Sequence, residues 1–165
     1  KLVAQLMRDL GSIPAPMNSF ILNLGLQTLH LRMAQHCSNA QRVAEFLQAD
    51  PRVAWVHYSG LPGDAYHELA EKYLPGGSCG VIAFGLKGDR ETAIRFMDSL
   101  DMINIVTHVA DARTCVLHPA SHTHRQLSDE QLREAGVAPD LIRLSVGIED
   151  CDDILDDIRQ ALDKI

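Results

Sequence analysis

The run Leu141-Ile142-Arg143-Leu144-Ser145-Val146-Gly147-Ile148 constrains this chain more than any other. Ile142, Leu144, Val146 and Ile148 recur at every second position, the period of a strand with one face in a core. Arg143 falls on the opposite face, beside Leu141 and Ser145. The strand leads into Glu149-Asp150-Cys151-Asp152-Asp153 and then into an apolar stripe of Ile154, Leu155, Ile158, Ala161, Leu162 and Ile165 at helical spacing. That spacing predicts a helix from Asp150 to Lys164. The carboxylates crowding its first turn suit the positive end of the helix dipole, and read as a capping device in preference to a metal site. A strand and a helix in direct succession, each with one apolar face, must cover one another in layers.

The same periodicities extend upstream. Lys1 to Leu10 has no Met start and reads as a helix already under way, so the chain is expected to belong to something longer. Gly11-Ser12-Ile13-Pro14-Ala15-Pro16 breaks it, because each proline restricts itself and the residue before it. A helix is then predicted from about Asn18 to Gln48, with Leu29, Met33, Cys37, Ala40, Ala44 and Leu47 as its stripe and Asp50-Pro51 as its stop. Such a helix is roughly 45 Å long, more than a small domain needs, and is expected to reach a neighbouring domain or subunit. Strands are predicted over Val53–Tyr58, Cys79–Leu86, Ile103–Val106 and Thr114–Leu117. Helices are predicted over Ala65–Tyr73, over Arg90–Leu100 behind an Asp89 cap, and behind a Ser128/Gln131 capping box as far as Glu134, with Gly136 ending the last. Some of these connections are too short for parallel crossovers. The fold class is therefore α+β: a mixed or antiparallel sheet of four or five strands, with helices on one face and a long helix leading in.

A chain of 165 residues can bury one sizeable core. Its net charge of −7 argues against nucleic acid as a partner, since a phosphate backbone needs a basic surface. No apolar run approaches a membrane span and no signal pattern opens the sequence, so no membrane is expected and the compartment is read as cytoplasmic. Cys37, Cys79, Cys115 and Cys151 lack CxxC spacing and are expected to be free thiols.

Two constellations could carry chemistry. Cys115, His118, His122 and His124 form Cys-x2-His-x3-His-x-His, a conceivable zinc set. It lacks a second cysteine and finger spacing, and a His-rich polar loop is the plainer reading, so no metal is assigned. Arg143 on rigid strand backbone suits a planar carboxylate, because its forked donors can engage both oxygens. Outer sheet faces also carry ordinary surface arginines, and His108 and Asp111 taken alone are ordinary loop residues. There is no phosphate loop, no Gly-x-Ser-x-Gly and no GxGxxG after a strand. No self-sufficient catalytic centre is present.

Two runs, Leu117-His118-Pro119-Ala120-Ser121-His122-Thr123-His124 and Ile142-Arg143-Leu144-Ser145-Val146-Gly147-Ile148-Glu149-Asp150, resemble C-terminal signatures of the Cys/Met-metabolism pyridoxal-phosphate enzymes. Gly25-Leu26-Gln27-Thr28-Leu29-His30-Leu31-Arg32-Met33 is similar to a segment of that family's long interdomain helix, and Phe84-Gly85-Leu86-Lys87-Gly88 fits in place and order. Pro16-Met17-Asn18-Ser19-Phe20 looks most like the O-acetylhomoserine sulfhydrylase branch; cystathionine synthases and lyases and methionine γ-lyase usually carry Asp where Asn18 stands and Arg where Leu24 stands.

The resemblance implies the C-terminal part of a fold-type I enzyme. Residues 1–17 would end the large cofactor domain, 18–49 would form the interdomain helix and 50–165 the small domain. It implies pyridoxal 5'-phosphate as cofactor and a small amino acid as substrate. The remainder of the same polypeptide and further copies, in a tetramer, would be the partners. The intact enzyme would make homocysteine and acetate from O-acetylhomoserine and sulfide, or methionine with methanethiol. The alternatives are a methionine γ-lyase or a cystathionine γ-synthase or lyase, with β- or γ-lyase chemistry among them, or a stand-alone metal- or partner-binding domain. Arg143 would bind the substrate α-carboxylate, helped by the loop at His108 and Val109. His108 stands where sulfhydrylases commonly have Asn, and Ala110 where Gly is usual. The Schiff-base lysine of the family sits in a Ser-x-Thr-Lys context that none of Lys1, Lys72, Lys87 and Lys164 has. No catalytic or cofactor-binding residue is therefore assigned to this chain, which alone is expected to be inactive.

Overall fold

The computed structural model describes residues 2–11 and 13–165. Lys1, where the first helix was expected to begin, and Ser12, in the expected break, lie outside them. The chain divides into two compact units, the first ending at Leu31 and the second running from Arg32 to Ile165.

In the first unit a π-helical stretch, Leu2–Met7, continues as α1 (Arg8–Leu10). Gly11 closes it at φ 65°, a left-handed geometry that costs glycine nothing. Helix α2 (Pro16–Gln27) starts on proline, whose missing N–H is no loss at a first turn. It carries Phe20, Ile21, Leu22, Leu24 and Leu26 as exposed side chains, with Ser19, Asn23 and Gln27 at four-residue steps as its polar stripe.

The single helix expected over residues 18–48 is two. Thr28 takes φ −109° and ψ 6° and turns its N–H to Leu26 O, so α3 (Leu29–Ala49) is a separate element. Gly25 and the β-branched Thr28 are both poor helix formers, which explains why the ladder fails there.

The second unit holds β1 (Val53–His57), α4 (His67–Tyr73), β2 (Val81–Leu86), α5 (Arg90–Asp98), β3 (Asn104–Ile105), β4 (Cys115–Leu117), α6 (Asp129–Glu134), β5 (Leu141–Ser145) and α7 (Cys151–Leu162). The strands form one mixed sheet in the order β1-β2-β5-β4-β3, antiparallel throughout except for the parallel pair β3–β4. Ile82 faces Leu144, Phe84 faces Ile142 and Val116 faces Leu144 across the ladders. These residues share one buried cluster with Ala40, Val43, Ala44 and Leu47 of α3, Phe96 and Met97 of α5, and Ile154, Ile158 and Leu162 of α7. Each large side chain buried there contributes roughly 1.5–3 kcal/mol. The expected α+β architecture, with helices over one sheet face, is the one observed.

Local signals placed the caps. The Asp89 carboxylate accepts from Thr92 N, and Ser128 with Gln131 forms the reciprocal box. Long-range contacts changed three other readings. The buried face of α3 is His36, Asn39, Ala40, Val43, Ala44 and Leu47, whereas Leu29 is exposed and Met33 and Cys37 are only partly buried. His36 Nδ1 lies 2.6 Å from Val146 O, and Asn39 Nδ2 donates to Gly147 O (3.1 Å) and Glu149 O (2.8 Å). β5 stops at Ser145 instead of Ile148, because Gly147 N turns to Thr114 Oγ1 and Ile148 N to Ala112 O. Finally, Asp150 alone caps α7, accepting from Asp152 N. Glu149 is engaged elsewhere.

Candidate functional site

Pleating sends Arg143 to the face of β5 away from the core, with Ala83 of β2 and Leu117 of β4 as its register neighbours. Ser145 lies two residues on and shares that face. The loop joining β3 to β4 folds over them. Its carbonyls hold the guanidinium: Arg143 Nη2 donates to Thr107 O at 2.9 Å and, more weakly, to His108 O at 3.4 Å. Ser145 Oγ accepts from Ala110 N at 3.2 Å. Ala110 adopts φ 58°, the left-handed region in which a Cβ is unfavourable.

Arg143 Nε is buried and has no hydrogen-bond partner among the described residues. A buried, unpaired donor on a cation costs more than a neutral one. A carboxylate oxygen brought to that edge would supply the acceptor, with the guanidinium already oriented by the two carbonyls. The residues around Arg143 thus fit the carboxylate of a small molecule. They do not fit covalent attachment of an aldehyde cofactor. Lys72 lies 5.0 Å over the Tyr73 ring and Lys164 Nζ donates to Ser99 O, and neither is a residue of this loop.

Of the residues named from sequence, Arg143 and His108 meet, but through the His108 backbone. The His108 imidazole is turned to Asp111, with Nδ1 3.4 Å from Oδ2. Hydrogen bonds from the Arg113 backbone and side chain, with a smaller contribution from His108, hold the Asp111 carboxyl down at about 2. Val109 stands 54% exposed at the loop crest. Sequence reading assigned no role to Thr107 or Ser145. Ser145 carried a usable signal, since it shares the face of Arg143 at a two-residue step.

The Cys-His cluster does not converge. Cys115 Sγ is directed to Arg113 O. His118 is fully buried, with Nε2 2.8 Å from Pro139 O and Nδ1 2.9 Å from Ser121 Oγ. A carbonyl only accepts, so Nε2 carries the proton and both ring nitrogens are used. Burial pushes the His118 pKa below its ordinary value. Among the described residues no group of three or more His, Cys, Asp or Glu is arranged to hold a metal, and the four cysteines are free. No helix among them is long and apolar enough to cross a membrane.

Comparison with known proteins places the chain in a family. The profile of one family, described as Cys/Met metabolism PLP-dependent enzyme, matches residues 1–163. An O-acetyl-L-homoserine sulfhydrylase 1 of Thermus thermophilus is 43% identical over 94% of this chain and 37% of its own length. A homocysteine synthase of Schizosaccharomyces pombe is 44% identical over 96% of this chain and 37% of its own length. A Campylobacter jejuni crystal structure described as an O-acetylhomoserine (thiol)-lyase, and carrying a pyridoxyl-lysine phosphate, superposes with a TM-score of 0.90. It is 39% identical and covers 98% of this chain and 38% of its own. The chain therefore spans little more than a third of the length of the relatives it matches.

Proposed function

Because this chain belongs to the Cys/Met-metabolism family of pyridoxal-phosphate-dependent enzymes, we propose that it is the carboxylate-holding part of an O-acetylhomoserine sulfhydrylase. The whole enzyme would replace the acetate of O-acetylhomoserine with sulfide, giving homocysteine, or with methanethiol, giving methionine. Pyridoxal phosphate, when bound, supplies the electron sink for breaking the bond to acetate. What this chain contributes is binding and orientation: Arg143 takes the α-carboxylate, and the loop of His108 and Val109 walls the site. Fixing one end of a small substrate sets the geometry of the end that reacts.

The observation that carries the reading is the buried, unpaired Nε of a guanidinium whose Nη2 is already tied to two main-chain carbonyls. In this reading residues 1–17 close the cofactor domain, 18–49 link the domains and 50–165 form the small domain. The exposed apolar side chains of α2 suit a helix that the remainder of the polypeptide or another copy covers. A cytoplasmic homo-oligomer belongs to the same reading.

In the full-length holoenzyme, Arg143→Lys should raise KM for O-acetylhomoserine by about two orders of magnitude, since lysine cannot reproduce the fork. KM for sulfide should hold. Unchanged amino-acid KM would overturn the assignment. Product analysis separates the family's other chemistry, because a lyase would release an oxo acid and ammonia in place of homocysteine.

A further inference from the structure

We propose that Glu149, acting with Thr114, is a positioning residue for the anion site. It fixes the loop over residues 106–113 at the height from which the Thr107 and His108 carbonyls grip Arg143. The inference rests on reading Arg143 as the carboxylate ligand, and extends that site to residues that touch no substrate.

Three strands of geometry carry it. First, Glu149 spends both carboxylate oxygens on the end of this loop: Oε1 accepts from Thr114 N at 2.6 Å and Oε2 from Thr114 Oγ1 at 2.9 Å. Thr114 Oγ1 in turn accepts from Gly147 N at 2.9 Å, and Ile148 N donates to Ala112 O at 2.9 Å. Loop and strand exit are thus stitched at both ends of a short path. Second, the fit allows nothing more. A Cβ on Gly147 would lie 2.2 Å from Glu149 Oε2 and 2.4 Å from Ala112 O, so the two backbones approach as closely as glycine permits. Third, the stitched segment is itself anchored from behind, where His36 and Asn39 of α3 hold the carbonyls of Val146, Gly147 and Glu149. Beside the bonds of Arg143 itself, Ala110 N ties the loop to β5 by donating to Ser145 Oγ.

The consequence for Arg143 is mechanical. A long side chain whose terminal nitrogen is held by two carbonyls keeps its orientation only while those carbonyls stay in place. Releasing Thr114 lets the loop rise, and the guanidinium then samples rotamers that no longer present Nε to the site. Charge-assisted bonds in a half-buried setting are a stiff tether for this purpose.

The test uses the full-length holoenzyme with O-acetylhomoserine and sulfide. Thr114→Val keeps shape and removes the hydroxyl with both of its hydrogen bonds, and should raise KM for the amino acid by about tenfold. KM for sulfide and the absorbance of the bound cofactor should not move. Thr114→Ser should restore the amino-acid KM to within about twofold. Glu149→Gln, which keeps one acceptor, should fall between them and provides a second route if Thr114→Val folds poorly. Amino-acid KM unchanged in both Thr114→Val and Glu149→Gln, with Arg143→Lys impaired, would sink the positioning role alone. An unimpaired Arg143→Lys would remove the carboxylate reading and this inference with it. Parallel loss of both KM values and of cofactor absorbance, in Thr114→Ser as well, would mark a purely structural role and overturn the proposal.

Discussion

Asp157 of α7 accepts the backbone N–H of Ile103 at 2.8 Å, and its two oxygens also take the N–H groups of Asp101 (2.8 Å) and Met102 (3.0 Å). One buried carboxylate thus replaces a turn of backbone pairing at the entry to β3. It sets where the chain begins its approach to the loop over Arg143. Asp157→Ala would strand three donors, and is expected to cost about 2–4 kcal/mol in urea unfolding of this chain. Asp157→Asn keeps one acceptor and should cost less. A loss under about 0.5 kcal/mol for Asp157→Ala would show that the three N–H groups find other partners.

Ala110 offers the opposite sign. Its φ of 58° is a conformation an L side chain resists, and it lies on an exposed loop where a lost methyl removes little packing. Ala110→Gly should stabilise the chain by up to about 1 kcal/mol, the strain relieved exceeding the extra freedom glycine gains when unfolded. Thermal unfolding of the two proteins side by side decides it; a lower midpoint for the glycine variant would contradict the strain.

Gly85 of β2 is a packing requirement. The Trp55 indole crosses it to reach Asp140, donating from Nε1 to Oδ2 at 3.0 Å. A Cβ at Gly85 would stand 2.2 Å from that nitrogen and 2.4 Å from the carboxylate. Gly85→Ala is expected to destabilise by about 1–3 kcal/mol and to shift the emission of Trp55, the single tryptophan. Unchanged emission would mean the indole never lay there.

His118 makes stability depend on pH. Burial disfavours its charged form, so its folded pKa lies below the ordinary 6.5. The unfolded chain then binds the proton more readily, and the contribution of His118 is fully present above about pH 6.5 and is lost as pH falls through the interval down to the folded value. Proton NMR should show the His118 ring titrating below 6.5. A titration at or above 6.5 would refute the neutral, Nε2-protonated ring.

What the sequence made legible was what neighbours in the chain decide. The alternation in β5 marked Ile142, Leu144 and Val146 as core and turned Arg143 outward; Asp89 and Ser128 announced their helices through bonds to residues three positions on. What it hid was decided by residues far away. His36 and Asn39 break the apolar stripe of α3 because their acceptors lie 110 and 108 positions along the chain. Glu149 reads as one more acidic residue ahead of α7, and only the fold shows that Thr114 claims it. Thr28 divides a segment in which both flanks are good helix, so no periodicity marks the break.

The guanidinium of Arg143 is held by main-chain oxygens and by no side chain of the loop. Carbonyls are common to every residue type, so the grip is indifferent to which amino acids occupy positions 107 and 108. Those positions are open to mutational drift and to redesign, and an imidazole can stand at His108 without disturbing the hold beneath it. The candidate site couples a main-chain grip, blind to residue type, to a rim whose chemistry is set by its side chains.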